Sequence, residues 1–238
     1  ERKGPRVDAP EKALAGFLRS TGLSKDQLTV QDTKKGQVYI AEITHPGRPA
    51  AEIVAEVLEK TIRTFPWPKS MRWGAGGLRW VRPLQRILCI LDGEVVPFEI
   101  DGLQSGNETE GHRVHGRGPY TIKSYSEYKK TLEGKGHVLL TRAARRELIA
   151  EQSAKVCADK GLELVEGKGL LEEVTGLAEW PNVILGDMDP AFLELPPEVI
   201  QLSMRTHQKY FAVRDPSTGE LAPHFVVVAN VAASDGGK

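Results

Sequence analysis

An excess of charge of either sign is the first thing this 238-residue sequence lacks. Its 32 Lys and Arg are balanced by 32 Asp and Glu. A protein that grips nucleic acid by bulk electrostatics alone is usually basic overall, so that class is disfavoured. Cysteine is scarce as well. Cys89 and Cys157 are the only two, far apart and in apolar contexts. Two thiols make no disulfide framework, and a reducing cytoplasm is the default compartment. Long apolar runs are missing too. Ile87 to Leu91 and Phe225 to Val231 fall far short of the roughly 20 residues that span a bilayer. No apolar signal region follows Glu1-Arg2-Lys3. What remains is a globular composition, 40% apolar and 27% charged, long enough for one large domain or two small ones.

A more local absence is informative. From Lys60 to Arg86 there is no acid, while Lys60, Arg63, Lys69, Arg72, Arg79, Arg82 and Arg86 are all basic. From Glu163 to Glu198 there are nine acids and one base, Lys168. Zero net charge therefore conceals a basic region and an acidic one. This is compatible with a local polyanion site. It is equally compatible with two solvated faces.

Elements of both kinds are interspersed. The first ten residues read as a polar lead. A helix begins at Pro10-Glu11 and runs to about Ser20, with Gly22 as its stop. Strands are expected at 28–31 and 37–44 around the turn 32–36. After the turn 45–49, a helix over 50–65 carries the stripe Ile53, Val54, Val57, Leu58 and Ile62. Phe65-Pro66-Trp67-Pro68 breaks it. Strands at 84–91 and 94–100 flank Asp92-Gly93, a strong hairpin signal. The stretch 101–118 reads as a polar loop rich in glycine and histidine. Ser124 with Glu127 fits a capping box, and helices follow to about Leu132, over 141–160 and over 169–179. Residues 137–140 are a candidate strand. Strands return at 182–185, 209–214 and 224–231, with a helix over 197–207 between them, and 234–238 reads as a tail. No repeat is present. The fold class is α+β: a mixed, largely antiparallel sheet with hairpins and a helical insertion at about 125–180. The expected division is an N-terminal helix and strand segment, 1–64, and an α+β core region, 65–238.

Familiar chemistry is mostly missing. Gly74-Ala75-Gly76-Gly77 lacks the third glycine of a dinucleotide fingerprint and the lysine–serine pair of a triphosphate loop. His112 and His115 are two candidate ligands without a third, so no metal site is assigned. His207 has no serine or cysteine nucleophile motif beside it. Glu172, Glu173 and Glu179 fit a solvated helix face better than an acid–base pair. The sequence assigns no catalytic residue.

The basic stretch is more suggestive. Lys69, Arg72, Arg79 and Arg82 alternate with Trp73 and Trp80. Cations hold phosphates, and an aromatic face can stack a base or a ribose edge. The competing interpretation makes both tryptophans core anchors with arginines exposed between them.

These residues also carry a resemblance. Pro68-Lys69-Ser70-Met71-Arg72-Trp73-Gly74, then Arg79-Trp80-Val81-Arg82-Pro83, is similar to a signature stretch of the beta subunit of the bacterial two-subunit glycyl-tRNA synthetase. Further blocks fit in the same order. They are Ser105-Gly106-Asn107, Gly111-His112-Arg113, Leu171-Glu172-Glu173-Val174, Glu179-Trp180-Pro181, 192–198, His207-Gln208-Lys209-Tyr210-Phe211, Pro223-His224-Phe225 and Ala229-Asn230. Pro66-Trp67-Pro68 and Gly116-Arg117-Gly118-Pro119 depart from the usual pattern.

The resemblance implies an α2β2 enzyme of the bacterial cytoplasm that attaches glycine to tRNA(Gly). The alpha subunit would carry the chemistry with ATP and magnesium, and no cofactor is expected on this chain. Its partners would be the alpha subunit and tRNA(Gly), with no membrane. The family's acidic amino-terminal motif and its carboxyl-terminal HD-like and anticodon-binding regions are absent, so an internal fragment is expected. Lys69, Arg72, Trp73, Arg79, Arg82, Arg86, Arg113 and Arg117 become the candidate tRNA contacts. Two alternatives stand beside this one. A structural region joining subunits would expose an apolar patch. An editing-type hydrolase, suggested by a likeness to the B3/B4 region of the phenylalanyl enzyme's beta subunit, would need a pocket with a perturbed acid or base.

Overall fold

The computed structural model describes residues 1–34, 36–44, 46–165, 167 and 169–233. The expected turns at 32–36 and 45–49, the acidic stretch at Glu166 and Lys168, and the tail at 234–238 lie partly or wholly outside them. The chain divides into two compact units, 1–53 and 54–238. The sequence reading draws its boundary after residue 64, near the other end of the same helix.

The first unit is a three-stranded antiparallel sheet with one helix. The polar opening contains a strand that the sequence reading did not assign: Arg2–Arg6 form β1. It pairs with β3 (Gly36–Ala41), which pairs in turn with β2 (Leu28–Thr33), giving the order β1-β3-β2. Two partners leave β3 no free edge, and Val38 to Ala41 are all buried. Helix α1 (Glu11–Thr21) ends where expected. Gly22 takes the left-handed conformation that side chains disfavour, and its N–H closes on Leu18.

Helix α2 (Ala50–Thr64) follows, with no fully buried residue. Two of the five residues of its expected stripe stay in solvent, Ile53 at 43% and Val57 at 55% exposure. Short strands come next: β4 (Ile87–Leu88), β5 (Ile90–Leu91), β6 (Glu94–Val95) and β7 (Glu99–Ile100). Asp92 and Gly93 both have positive φ, which the right-handed strand twist demands of a two-residue hairpin, and they join β5 to β6. Asp101-Gly102 repeats this chemistry and joins β7 to β8 (Leu103–Gly106). The stretch expected as a loop thus contains β8 and β9 (Glu108–Thr109). The latter pairs with β10 (Tyr120–Thr121).

The larger core lies beyond. Helix α3 (Tyr125–Glu133) starts at Ser124, whose hydroxyl accepts the Glu127 N–H. Helix α4 (Arg142–Ala158) starts at Thr141, whose hydroxyl accepts the Ala144 N–H. The four-stranded antiparallel sheet has the order β11-β13-β14-β12, from β11 (Glu163–Leu164), β12 (Asn182–Asp187), β13 (Phe211–Arg214) and β14 (Leu221–Ala229). Helices α4 and α5 (Leu170–Thr175) pack against it around Ile149, Cys157, Leu170, Val174, Phe211, Val213 and Val226. Within the segment read as a helical insertion, β11 is a strand of this sheet. The α+β class holds.

Three local expectations change. Residues 137–140 form no strand. Instead His137 has φ of 51° and Leu139 N–H bonds the Glu179 carbonyl. Helix α5 stops at Thr175, well before Trp180-Pro181. Helix α6 (Pro197–Ser203) passes into a π-turn, Met204–Gln208, closed by Lys209 in the left-handed region.

Candidate nucleic-acid interface

The expected interface begins where α2 ends. Pro66 and Pro68 cannot continue a helix, and each fixes its own φ. Trp67 N–H bonds the Phe65 carbonyl across Pro66 at 2.9 Å, a tight reversal. The chain then turns back on itself. Met71 and Trp80 form an isolated antiparallel bridge, exchanging both N–H···O bonds at 2.8 and 3.2 Å. Between them runs the glycine-bearing loop 72–79.

Asp101, which sequence reasoning did not single out, pins that loop. Its Oδ2 accepts the Leu78 N–H at 3.0 Å, and Leu78 is buried. Its Oδ1 stands 3.6 Å from the Arg63 guanidinium of α2. Gly76 lies so close that a Cβ there would sit 2.3 Å from the carboxylate. The close pass of the loop over Asp101 leaves no room for a side chain at Gly76. The only available sequence signal was Asp101-Gly102 as a second hairpin turn, which places a carboxylate at a fixed point.

The aromatic side chains assemble differently from expectation. Trp80 meets Trp67 edge-on at 4.8 Å and Phe65 at 5.5 Å, and Phe65 and Trp67 are 4.6 Å apart. Trp73 makes no ring contact among the described residues. Phe65 is 46% exposed, so the cluster has an open side.

The candidate cations fall into two groups. Lys69 and Arg72 are exposed with no polar partner among the described residues. Arg79 bonds only the Ser70 hydroxyl and carbonyl, and Arg82 only the carbonyl of its neighbour Val81. Arg86 differs, forming ion pairs with Glu108 at 3.0 Å and Glu110 at 3.1 Å. Arg113 and Arg117 are exposed in the loop between β9 and β10.

The acidic stretch does not neutralise the basic one. Glu172 takes Arg142 and Arg146, Glu173 takes Lys209, Glu163 takes Arg214, and Asp187 takes His224. Arg142 and then Arg146, both hydrogen-bonded to Glu172, hold its carboxyl below the usual carboxylate range. All of these acids are engaged around the four-stranded sheet and its helices.

Other sequence candidates form a structural joint. His112 is buried, and its Nδ1 accepts the N–H of Val114 and of His115, which places its proton on Nε2. Its ring stacks on His115 at 4.8 Å, and His137 packs edge-on against Trp180 at 5.0 Å. Asn230 Oδ1 accepts the N–H of Glu179 and of Trp180 at 2.9 and 3.1 Å. Trp180 is half-buried. His207 is exposed and makes no hydrogen bond among the described residues. Burial pushes the Cys89 and Cys157 thiols up, away from the reactive thiolate. No group of three or more His, Cys, Asp or Glu among the described residues could hold a metal ion.

Comparison with known proteins decides the family. The family model described as "Glycyl-tRNA synthetase beta subunit" matches residues 1–238. The chain belongs to the glycyl-tRNA synthetase beta subunit family. It is 58% identical over 238 residues to the glycine–tRNA ligase beta subunit of Phenylobacterium zucineum (strain HLK1), covering 100% of this chain and 35% of that relative. The corresponding proteins of Ruegeria sp. (strain TM1040) and Paracoccus denitrificans (strain Pd 1222) are 54% and 52% identical, again over 100% of this chain and 35% of theirs. The chain thus spans about a third of the length of the curated relatives it matches. No helix among the described residues is long and apolar enough to cross a membrane.

Proposed function

We propose that this chain is a tRNA-handling, non-catalytic part of the beta subunit of a glycine–tRNA ligase. In this reading it serves a cytoplasmic α2β2 enzyme. The alpha subunit uses ATP and magnesium to activate glycine, and the beta subunit helps present tRNA(Gly). The observation that carries the reading is charge left unneutralised. Lys69, Arg72, Arg79 and Arg82 have no carboxylate partner among the described residues, on a segment held in shape by the Met71–Trp80 bridge and Asp101. Folded RNA offers closely spaced phosphates, and cations that meet them release counterions. Arg86 is set aside, because Glu108 and Glu110 already hold it. Arg113 and Arg117 remain candidate phosphate contacts, outside the 69–82 segment.

The test is replacement of Arg72 and Arg79 by alanine in the intact α2β2 enzyme. tRNA binding should weaken and its salt dependence should flatten by about one to two released ions. Glycine-dependent ATP–pyrophosphate exchange should be unchanged. Unaltered tRNA affinity with a lower melting temperature would make these arginines structural.

A second reading, subunit joining, has its own observation elsewhere. Phe192, Leu195, Val199 and Leu202 are about half exposed, and the first three border a groove of about 440 Å³ beside Met188 and Tyr210. Such a patch fits a protein contact better than an RNA one. The editing reading has less support: both thiols are shifted away from reactivity, and His207 is unpositioned.

A further inference from the structure

Phosphate contact accounts for the cations of this segment but not for its rings. Phe65, Trp67 and Trp80 form a three-ring cluster whose centroids lie 4.6 to 5.5 Å apart. An ordinary core cluster would be closed. Here Phe65 is 46% exposed, and Trp67 and Trp80 are each only part-buried. We propose that the open side of this cluster stacks an unpaired base of single-stranded RNA, while the neighbouring cations hold the adjoining phosphates. The inference rests on reading this segment as an RNA surface, and it adds the class of ligand the surface takes.

Two observations support it. The rings are pre-organised. Phe65 and Trp67 alternate with two prolines, the Trp67 N–H is tied to the Phe65 carbonyl, and the Trp80 backbone is locked to Met71. Little backbone freedom is left to lose when a ligand arrives. The charge along the chain segment that bears the rings is of one sign. Lys69 follows Trp67 by two positions, and Arg79 and Arg82 flank Trp80, with no acid between residues 60 and 86. That complementarity selects a polyanion over an apolar peptide segment.

The same geometry argues for unpaired RNA. Within a duplex, each base face is already covered by its neighbours. A ring on the protein can stack only on a base that is splayed out or at an end. Stacking of this kind tolerates any base, because every base has a π-face.

The experiment uses the intact α2β2 enzyme. Octaadenylate and a stable GC-paired RNA duplex of the same length are titrated separately, with tryptophan fluorescence as the signal. Wild-type enzyme should bind the single strand with quenching and bind the duplex more weakly. Phe65→Ala, at an exposed position, should weaken single-strand binding roughly tenfold and leave the salt slope unchanged. Phe65→Tyr should restore it. Arg72→Ala with Arg79→Ala should instead flatten the slope. Should Phe65→Ala leave affinity untouched while the double arginine variant flattens the slope, the stacking site is overturned and the RNA surface stands. If neither variant alters binding of the oligomer or of tRNA, both fall. If Phe65→Ala loosens alpha–beta association with RNA binding intact, the cluster is a protein contact and the inference is overturned.

Discussion

Around the four-stranded sheet, cations meet acids; along residues 65–82 they do not. Both regions use the same residue types. Beside the sheet, Arg142, Arg146, Lys209 and Arg214 each find a glutamate within 2.8 Å, and the apolar residues beneath are buried. Along the other segment, Lys69, Arg72, Arg79 and Arg82 find no carboxylate among the described residues, and three aromatic rings stay partly in solvent. The first region meets these four cations with glutamates of its own chain. The second is shaped by two backbone hydrogen bonds and one aspartate, with its side-chain chemistry left unmatched. That difference in pairing is the basis for reading the first as scaffold and for the proposal that the second is a contact surface.

Truncation of the scaffold should have the largest effect. Ile149 is fully buried between α4 and the sheet. Ile149→Ala should cost about 2–5 kcal/mol in denaturant unfolding. The salt slope of tRNA binding should not change in the protein that remains folded. If the slope did change, the two regions would not be independent.

An intermediate effect is expected at Asp101, which belongs to the loop's support. Asp101→Ala removes the acceptor of the Leu78 N–H and the partner of Arg63. The unmet backbone donor should cost about 1–3 kcal/mol. Unlike Ile149→Ala, this change should also weaken tRNA binding, because the loop bearing Arg72 and Arg79 loses its anchor. A stability loss with tRNA affinity preserved would show that the loop holds its shape without Asp101.

The smallest effect concerns the exposed ion pairs of the scaffold. Two arginines hold the Glu172 carboxyl below its usual range. A depressed folded pKa contributes stability above the unfolded value, about 4.3. That contribution is lost as pH falls through the folded value. Glu172→Gln should therefore leave the acid limb of the stability profile shallower and change little at neutral pH, since exposed pairs are weak. Melting temperatures of both proteins between about pH 3 and pH 7 check this. Identical profiles would show that the pairs contribute nothing to folding.

The parts of this protein legible in its sequence are those governed by neighbours in the chain. Gly22 stops α1, Ser124 and Thr141 start α3 and α4, and Asp92-Gly93 turns a hairpin, each because the relevant hydrogen bond or φ involves residues a few positions apart. The segregation of charge, and the blocks that relate the chain to its family, were likewise present in the residues themselves. Tertiary structure decided the partners. Arg86 belongs to Glu108 and Glu110, Trp80 to Trp67 and Phe65 instead of Trp73, the Leu78 N–H to Asp101, and the N–H groups of Glu179 and Trp180 to Asn230. These pairings span from 13 to 51 positions. No local rule fixes them, because a side chain's partner at that range depends on which strands pair and where the backbone turns. The chain thus determined which residues were charged or aromatic; only the fold determined which of them would be satisfied and which left open to solvent.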